Sequence, residues 1–391
     1  MNPYLTTTTT VAEIKHASSL LVPNEVQITR NMNEWYALAQ KYAIPYEEVA
    51  LIDLNRTGVA LLGNEVRVGY RARFNASLFN FYDRAWFAMP VRTMSDTNFL
   101  VAQNRLFFKD HLIGEIDTPV LDTCESSYQR GETLLNLNSR SRSNCAGCKA
   151  CVHNDKTLYD DTVIKDHRSL RKRREIEEFF AEKVANGLNV AKLQQIAVVT
   201  GLFANEDDLI NHLKVVNDVA RSYGFDGELM YFGMQLVSRR AMREFAKLSH
   251  PAYVFAVDNF TRRKKAQAQA KSNHSLKDTC ELMAYAKSLG VQTTFAYIAG
   301  VDPLESIWRG VELLEPYCTR FPVVNIFQVQ TRLQLSQIAP DAKQLEYYIQ
   351  ARRIFESYFT DGRLPRRWEN YRPLWYREYG GSIYLDAHPY G

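Results

Sequence analysis

Three cysteines fall within seven residues, in the run Asn144-Cys145-Ala146-Gly147-Cys148-Lys149-Ala150-Cys151-Val152-His153-Asn154-Asp155. Two residues separate each thiol from the next, so three sulfurs can point into one small volume. Ala146, Gly147 and Ala150 leave the backbone room to wrap around it. Soft thiolates select iron–sulfur clusters, zinc or copper(I). The spacing matches the first three ligands of the bacterial ferredoxin run, and Asp155 stands where that run has its fourth cysteine. A cube of four irons held by three cysteines keeps one iron open to another ligand. Two rival sites use the same loop. Cys145, Cys148, Cys151 and His153 would close a structural zinc tetrahedron, although such sites more usually join two distant pairs. A cluster for electron transfer alone, with Asp155 as fourth ligand, is the other.

The remaining cysteines, Cys124, Cys280 and Cys318, are scattered, and six in a chain of 391 residues are too few for a disulfide scaffold. Clustered thiols without an export signal read as metal ligands. The first residues carry no basic segment followed by an apolar one, which points to the cytoplasm. No apolar stretch approaches the length of a membrane span, so no membrane partner is expected. A net charge of +4 is too small to imply a nucleic-acid partner by itself.

The elements that must position the cysteines follow from periodicity. Residues 1–125 read as a strand-rich N-terminal α+β region of no legible role, with a short helix over 34–42. Strands are expected there over 49–54, 59–62, 66–73 and 106–116, which are rich in β-branched and aromatic residues. From residue 126 the rhythm changes. Strands at 133–138, 195–200, 228–233, 253–257, 292–298 and 323–328 alternate with helices at 170–186, 206–223, 238–247, 275–289, 304–314 and 342–358. Strict alternation argues for an α/β fold, a parallel sheet with helices outside it. Six units suit a partial (β/α)6 TIM-type barrel over 126–360. Its chemistry belongs on the loops after the strands, and the cysteine run lies on the first of them. The extension over 361–391 is dense in Arg, Tyr and Trp and packs back on the barrel, over its mouth or its lower end.

A strand, a three-cysteine loop and repeated strand–helix units together resemble the radical S-adenosylmethionine superfamily, over about 133–358. The resemblance implies a 4Fe–4S cluster on Cys145, Cys148 and Cys151, with S-adenosylmethionine chelating the open iron. It implies reductive cleavage of the sulfonium to a 5′-deoxyadenosyl radical that abstracts hydrogen from a substrate, with an electron donor such as flavodoxin or ferredoxin. The common motif has three residues between its first two cysteines where this chain has two, and Ala150 replaces an aromatic before the third. Thr200 and Gly201 stand where the second strand usually ends in a Gly-Gly-Glu-like run. Asp258 and Asn259 follow the fourth strand, where ribose hydroxyls would lie. The run Tyr297-Ile298-Ala299-Gly300-Val301-Asp302 ends the fifth, so Ile298 and Gly300 would lie against adenine.

Each of these positions also has a plain structural reading: turn glycines at Gly201 and Gly300, a turn or helix cap at Asp258 and Asn259. Gln235, Gln328 and Gln330 end strands and are candidates to face substrate. Arg171 to Arg174 reads as a solvated helix face, and Arg262 to Lys265 as a basic loop, plain surface first and an anion site second. A small-molecule substrate in a biosynthetic pathway is the first reading, with a peptide or RNA kept open. The alternative from another class is a zinc-stabilised binding protein without catalysis.

Overall fold

The computed structural model describes residues 26–60, 68–74, 87–90, 97–121, 128–130, 133–137, 148, 170, 172–199, 202–263, 269–329, 332–366, 369 and 372–375. Helices α1 (Met32–Tyr42) and α2 (Tyr46–Thr57) open it. Five strands follow: β1 (Val68–Phe74), β2 (Phe87–Pro90), β3 (Phe99–Ala102), β4 (Arg105–Phe108) and β5 (His111–Leu121). They form an antiparallel sheet in the order β2-β1-β5-β4-β3.

Two expectations change here. The run over 49–54 is not a strand but the middle of α2, buried on every side. A helix buried all round, its polar residues included, has no exposed stripe to betray it. Within that run Asp53 accepts hydrogen bonds from Trp35 Nε1 at 2.8 Å and from Arg56 at 2.6 Å, so the one acid of 49–54 is paired. The single strand over 106–116 is instead the hairpin of β4 and β5, turning at Lys109 with φ 53°. Of 59–62, Val59 and Ala60 are described, and Ala60 forms an isolated bridge to Leu100.

The chain then changes sheet. Strand β6 (Tyr128–Arg130) pairs antiparallel with β7 (Leu134–Leu137), at one edge of a curled sheet whose other members are all parallel. After β7 come α3 (Arg173–Ala185), β8 (Gln195–Val199), α4 (Glu206–Ser222), β9 (Glu228–Gly233) and α5 (Arg239–Phe245). Strand β10 (Ala252–Asp258), α6 (Leu276–Ser288), β11 (Gln292–Ala299), α7 (Leu304–Leu314), β12 (Val323–Ile326) and α8 (Leu345–Tyr358) complete it. Strands β7 to β12 lie side by side in sequence order, forming a half-barrel of six parallel strands. Helices end where the chain offers glycine: Gly187, Gly224 and Gly290 follow α3, α4 and α6 with φ of 95°, 86° and 82°.

Strand alternation divides the barrel's residues cleanly. Leu135, Ile196, Leu229, Tyr253, Phe295 and Val324 pack outward under the helices. Leu134, Ala197, Met230, Ala252, Val254, Ala296 and Val323 face inward as a separate apolar cluster. Both faces being buried, the strands read as continuous apolar runs.

Arg366 and Glu369, described residues of the C-terminal extension, lie at the lower end, where the strands begin. Glu228 opens β9 and meets Arg320 at 2.6 Å, Gln195 at 2.5 Å and Arg366 at 3.2 Å. Glu369 joins through Arg320 at 3.2 Å and Gln195 at 2.9 Å. Residues 372–375 then run along β12, where Ile326 donates to the Arg372 carbonyl and Asn325 bridges Pro373. On the outside, α2 is tied to α8. Arg352 pairs with Glu48 and Glu356, and Trp375 Nε1 donates to Glu356 at 3.0 Å. No helix among the described residues is long and apolar enough to cross a membrane.

Candidate active site

The barrel's two ends differ. At the lower end the inward positions are sealed by the buried Glu228–Arg320 network. At the upper end, where the strands finish, Val199, Phe232, Ile298 and Asn325 are all partly exposed. The interior therefore opens only toward the C-terminal rim among the described residues, which is where loops of such folds carry chemistry. The rim is built from two welded pairs of loops.

The first pair joins the segments after β8 and β9. Gln235 Oε1 accepts the Phe203 amide at 2.9 Å, and its Nε2 donates to the Phe203 carbonyl at 3.0 Å. One side-chain amide thus mimics a strand neighbour for a single residue of the facing loop. Glu206, the first residue of α4, adds a second tie. Its Oε1 accepts the amides of Val237 and Ser238 at 2.6 and 2.7 Å, satisfying donors ahead of α5. Tyr231 OH lies beneath and accepts the Gln235 amide at 3.3 Å, and burial pushes that phenol well above its ordinary pKa.

The second pair joins the segments after β10 and β11. Strand β10 ends in a bulge against β11, and Asp258 takes the left-handed conformation with φ 60°, one that aspartate tolerates better than most residues. Asn259 is buried and accepts the Arg262 amide at 3.0 Å, closing the turn. Asp302, fully buried after β11, reaches back across it. It accepts the amides of Phe260 at 2.7 Å and Thr261 at 3.0 Å, the Thr261 hydroxyl, and Tyr297 OH at 3.2 Å. The Asp258 carboxylate pairs with Lys271 Nζ at 2.8 Å. Arg263 is buried too and donates to the carbonyls of Val257, Lys271 and His274, and desolvation lowers its pKa. The middle of the basic loop is thus a buried brace rather than surface.

The other sequence candidates sit as follows. Cys148 is partly buried. Cys145, Cys151, Thr200, Gly201 and Gln330 lie outside the described residues. Among the described residues no three His, Cys, Asp or Glu side chains gather into a metal site. Ile298 is paired in register with Asn325 at the rim. Gly300 has φ 121°, and a Cβ there would lie 2.9 Å from Tyr348 OH and 3.0 Å from Phe327. Its amide donates to Tyr347 OH at 3.2 Å, so the glycine is required by packing against α8. Gln328 is buried and donates to the Asn55 carbonyl at 3.1 Å, fastening the end of β12 to α2. The exposure of Lys172, Arg173 and Arg174 agrees with a solvated face.

Asp302 and Glu206 went unread as site-building residues. Both act on backbone more than 30 residues away, which no local pattern in the sequence marks. Cys280 and Cys318 are buried, and burial pushes their thiols up to about 11 and about 12.

No family model matches the chain, and no curated protein matches it in sequence. Among solved structures, it is similar to SuiB of Streptococcus suis bound to S-adenosylmethionine. That likeness has 13% identity and a TM-score of 0.38, over 57% of this chain and 47% of the other. The Escherichia coli coproporphyrinogen III oxidase HemN, a radical SAM enzyme, shares 10% identity over 62% of this chain and 54% of its own, at a TM-score of 0.37. The radical S-adenosylmethionine methyltransferase TsrM of Kitasatospora setae, with cobalamin and a [4Fe-4S] cluster bound, shares 13% identity at a TM-score of 0.31. It is matched over 50% of this chain and 36% of its own. The chain thus spans between about a third and just over half of these structures.

Proposed function

We propose that this chain is a radical S-adenosylmethionine enzyme that holds a 4Fe–4S cluster through Cys145, Cys148 and Cys151. One observation carries the reading: the three-cysteine run comes next in the sequence after β7, the first of six parallel strands of a half-barrel. The end where those strands finish is the open one, with Val199, Phe232 and Ile298 partly exposed there.

The donor set fits the group. Three thiolates on one short, small-residue loop are soft ligands that leave a fourth metal position open, and Cys148 is partly buried. When bound, the cluster and S-adenosylmethionine supply an electron and a cleavable sulfonium, and thereby hydrogen abstraction from substrate. The chain's own residues position and enclose. Asp302 and Gln235 fix the rim loops to one another, so groups on them are held without reorganisation. The Glu228–Arg320 network closes the lower end, which keeps water from reaching the interior from below. Asp258, Asn259 and Ile298 lie on the rim as candidate contacts to the nucleoside, and Thr200 and Gly201, which follow β8 in the sequence, are candidates with them. The substrate is a small molecule, and the reducing electron comes from a flavodoxin- or ferredoxin-type donor.

Metal and sulfide analysis of anaerobically purified protein tests the reading. About four irons and four sulfides per chain, lost in Cys148→Ala, support it, following the cluster stoichiometry. One zinc per chain without sulfide opposes it.

A further inference from the structure

Resting on that reading, we propose that the barrel mouth receives an uncharged, apolar group of the substrate, an aromatic or branched aliphatic framework, against Val199 and Phe232. These two residues are cross-strand neighbours on the last rung of β8 and β9. Both are partly exposed, and both pack on the inward cluster of Ala197, Met230 and Val254, continuing that apolar interior up to the rim. Apolar surface left partly in water at the mouth of an apolar interior is stabilised when an apolar group covers it.

Among the described residues, the polar rim groups that would recognise a charged substrate are engaged by the protein. Gln235 holds Phe203, Asp302 holds Phe260 and Thr261, and Arg263 holds three carbonyls. Asp258 is paired with Lys271, and Gln328 with Asn55. The buried charges inside the barrel, Glu228 and Arg320, sit at the opposite end and neutralise one another. Hydrogen abstraction from carbon requires a C–H bond to be held in place, not polarised, and apolar contact suffices for that.

Equilibrium dialysis of the anaerobically reconstituted full chain tests this, with radiolabelled indole as the apolar probe and glucose 6-phosphate as the charged one. Wild-type protein retains indole in preference to the sugar phosphate. Phe232→Asp, checked for folding by circular dichroism, weakens that retention about tenfold, while Phe232→Leu stays within about threefold. Val199→Asp gives the same loss independently. The proposal is overturned if wild type retains no indole, if it prefers glucose 6-phosphate, or if the folded aspartate variants retain indole as wild type does. Iron content and 5′-deoxyadenosine are measured on the same samples. Deoxyadenosine without indole retention overturns the apolar mouth alone. Indole retention in a protein without iron overturns the cluster and leaves the apolar mouth standing.

Discussion

The Asp302 carboxylate accepts the Phe260 amide at 2.7 Å, across 42 residues of chain, and so couples the turn after β10 to the turn after β11. Asp302→Ala leaves the buried amide of Phe260 and the part-buried amide of Thr261 without their acceptor. It should destabilise the fold by about 3 kcal/mol in urea titration, the cost of orphaned buried donors. Asp302→Asn keeps one acceptor oxygen and should lose less, about half as much. Equal stability of Asp302→Ala and wild type would contradict the brace.

The Glu228–Arg320 pair should control acid stability. Burial pushes the Glu228 carboxyl up, but Arg320 and Arg366 outweigh it and hold it below the usual glutamate range. A carboxyl depressed on folding contributes stability that is fully present above its unfolded pKa of about 4.5 and is lost as pH falls through the folded value. Unfolding free energy should therefore decline below about pH 4.5. Arg320→Met leaves Glu228 buried with less counter-charge and should cost about 3–5 kcal/mol at neutral pH. That cost should shrink as pH falls and Glu228 takes up a proton, which guanidinium titrations between pH 4 and pH 7 would show. A loss independent of pH would point to packing alone.

Gln235 should protect one residue in particular. Since it both accepts from and donates to Phe203, Gln235→Ala should raise hydrogen exchange at the Phe203 amide by about tenfold, with the amides of β8 unchanged. Gln235→Glu retains the acceptor but not the donor and should keep most of that protection. Unchanged exchange in the alanine variant would contradict the tie.

Thiol chemistry should separate the cysteines. Burial holds the Cys280 and Cys318 thiols up near about 11 and about 12, so both should resist iodoacetamide at pH 8 in the folded protein and react on unfolding. Cys280→Ala and Cys318→Ala should keep wild-type iron content. Loss of iron in either variant would contradict the three-ligand assignment.

Most of the barrel was legible because its signals are local. Runs such as Gln195–Val199 and Glu228–Gly233 are apolar and short, and the helices between them stop at Gly187, Gly224 and Gly290. The N-terminal half was less legible for the same reason. The Val49 to Leu54 run looks like a strand because a helix buried all round loses its stripe, and only Asp53 pairing with Trp35 and Arg56 accounts for its acid. The turn at Lys109 carries no glycine or asparagine to mark it. At the rim, sequence order identified Asp258, Asn259 and Gln235 as polar strand ends. What each one touches depends on partners brought from distant loops, as Asp302 and Phe203 are.

The central claim is tested most directly by incubating anaerobically reconstituted protein with dithionite and S-adenosylmethionine and measuring 5′-deoxyadenosine by mass spectrometry. The account predicts that it forms with wild type and with Cys280→Ala, and that it is lost in Cys145→Ala, Cys148→Ala and Cys151→Ala. A protein that carries zinc in place of iron and sulfide, and forms no 5′-deoxyadenosine, would contradict it.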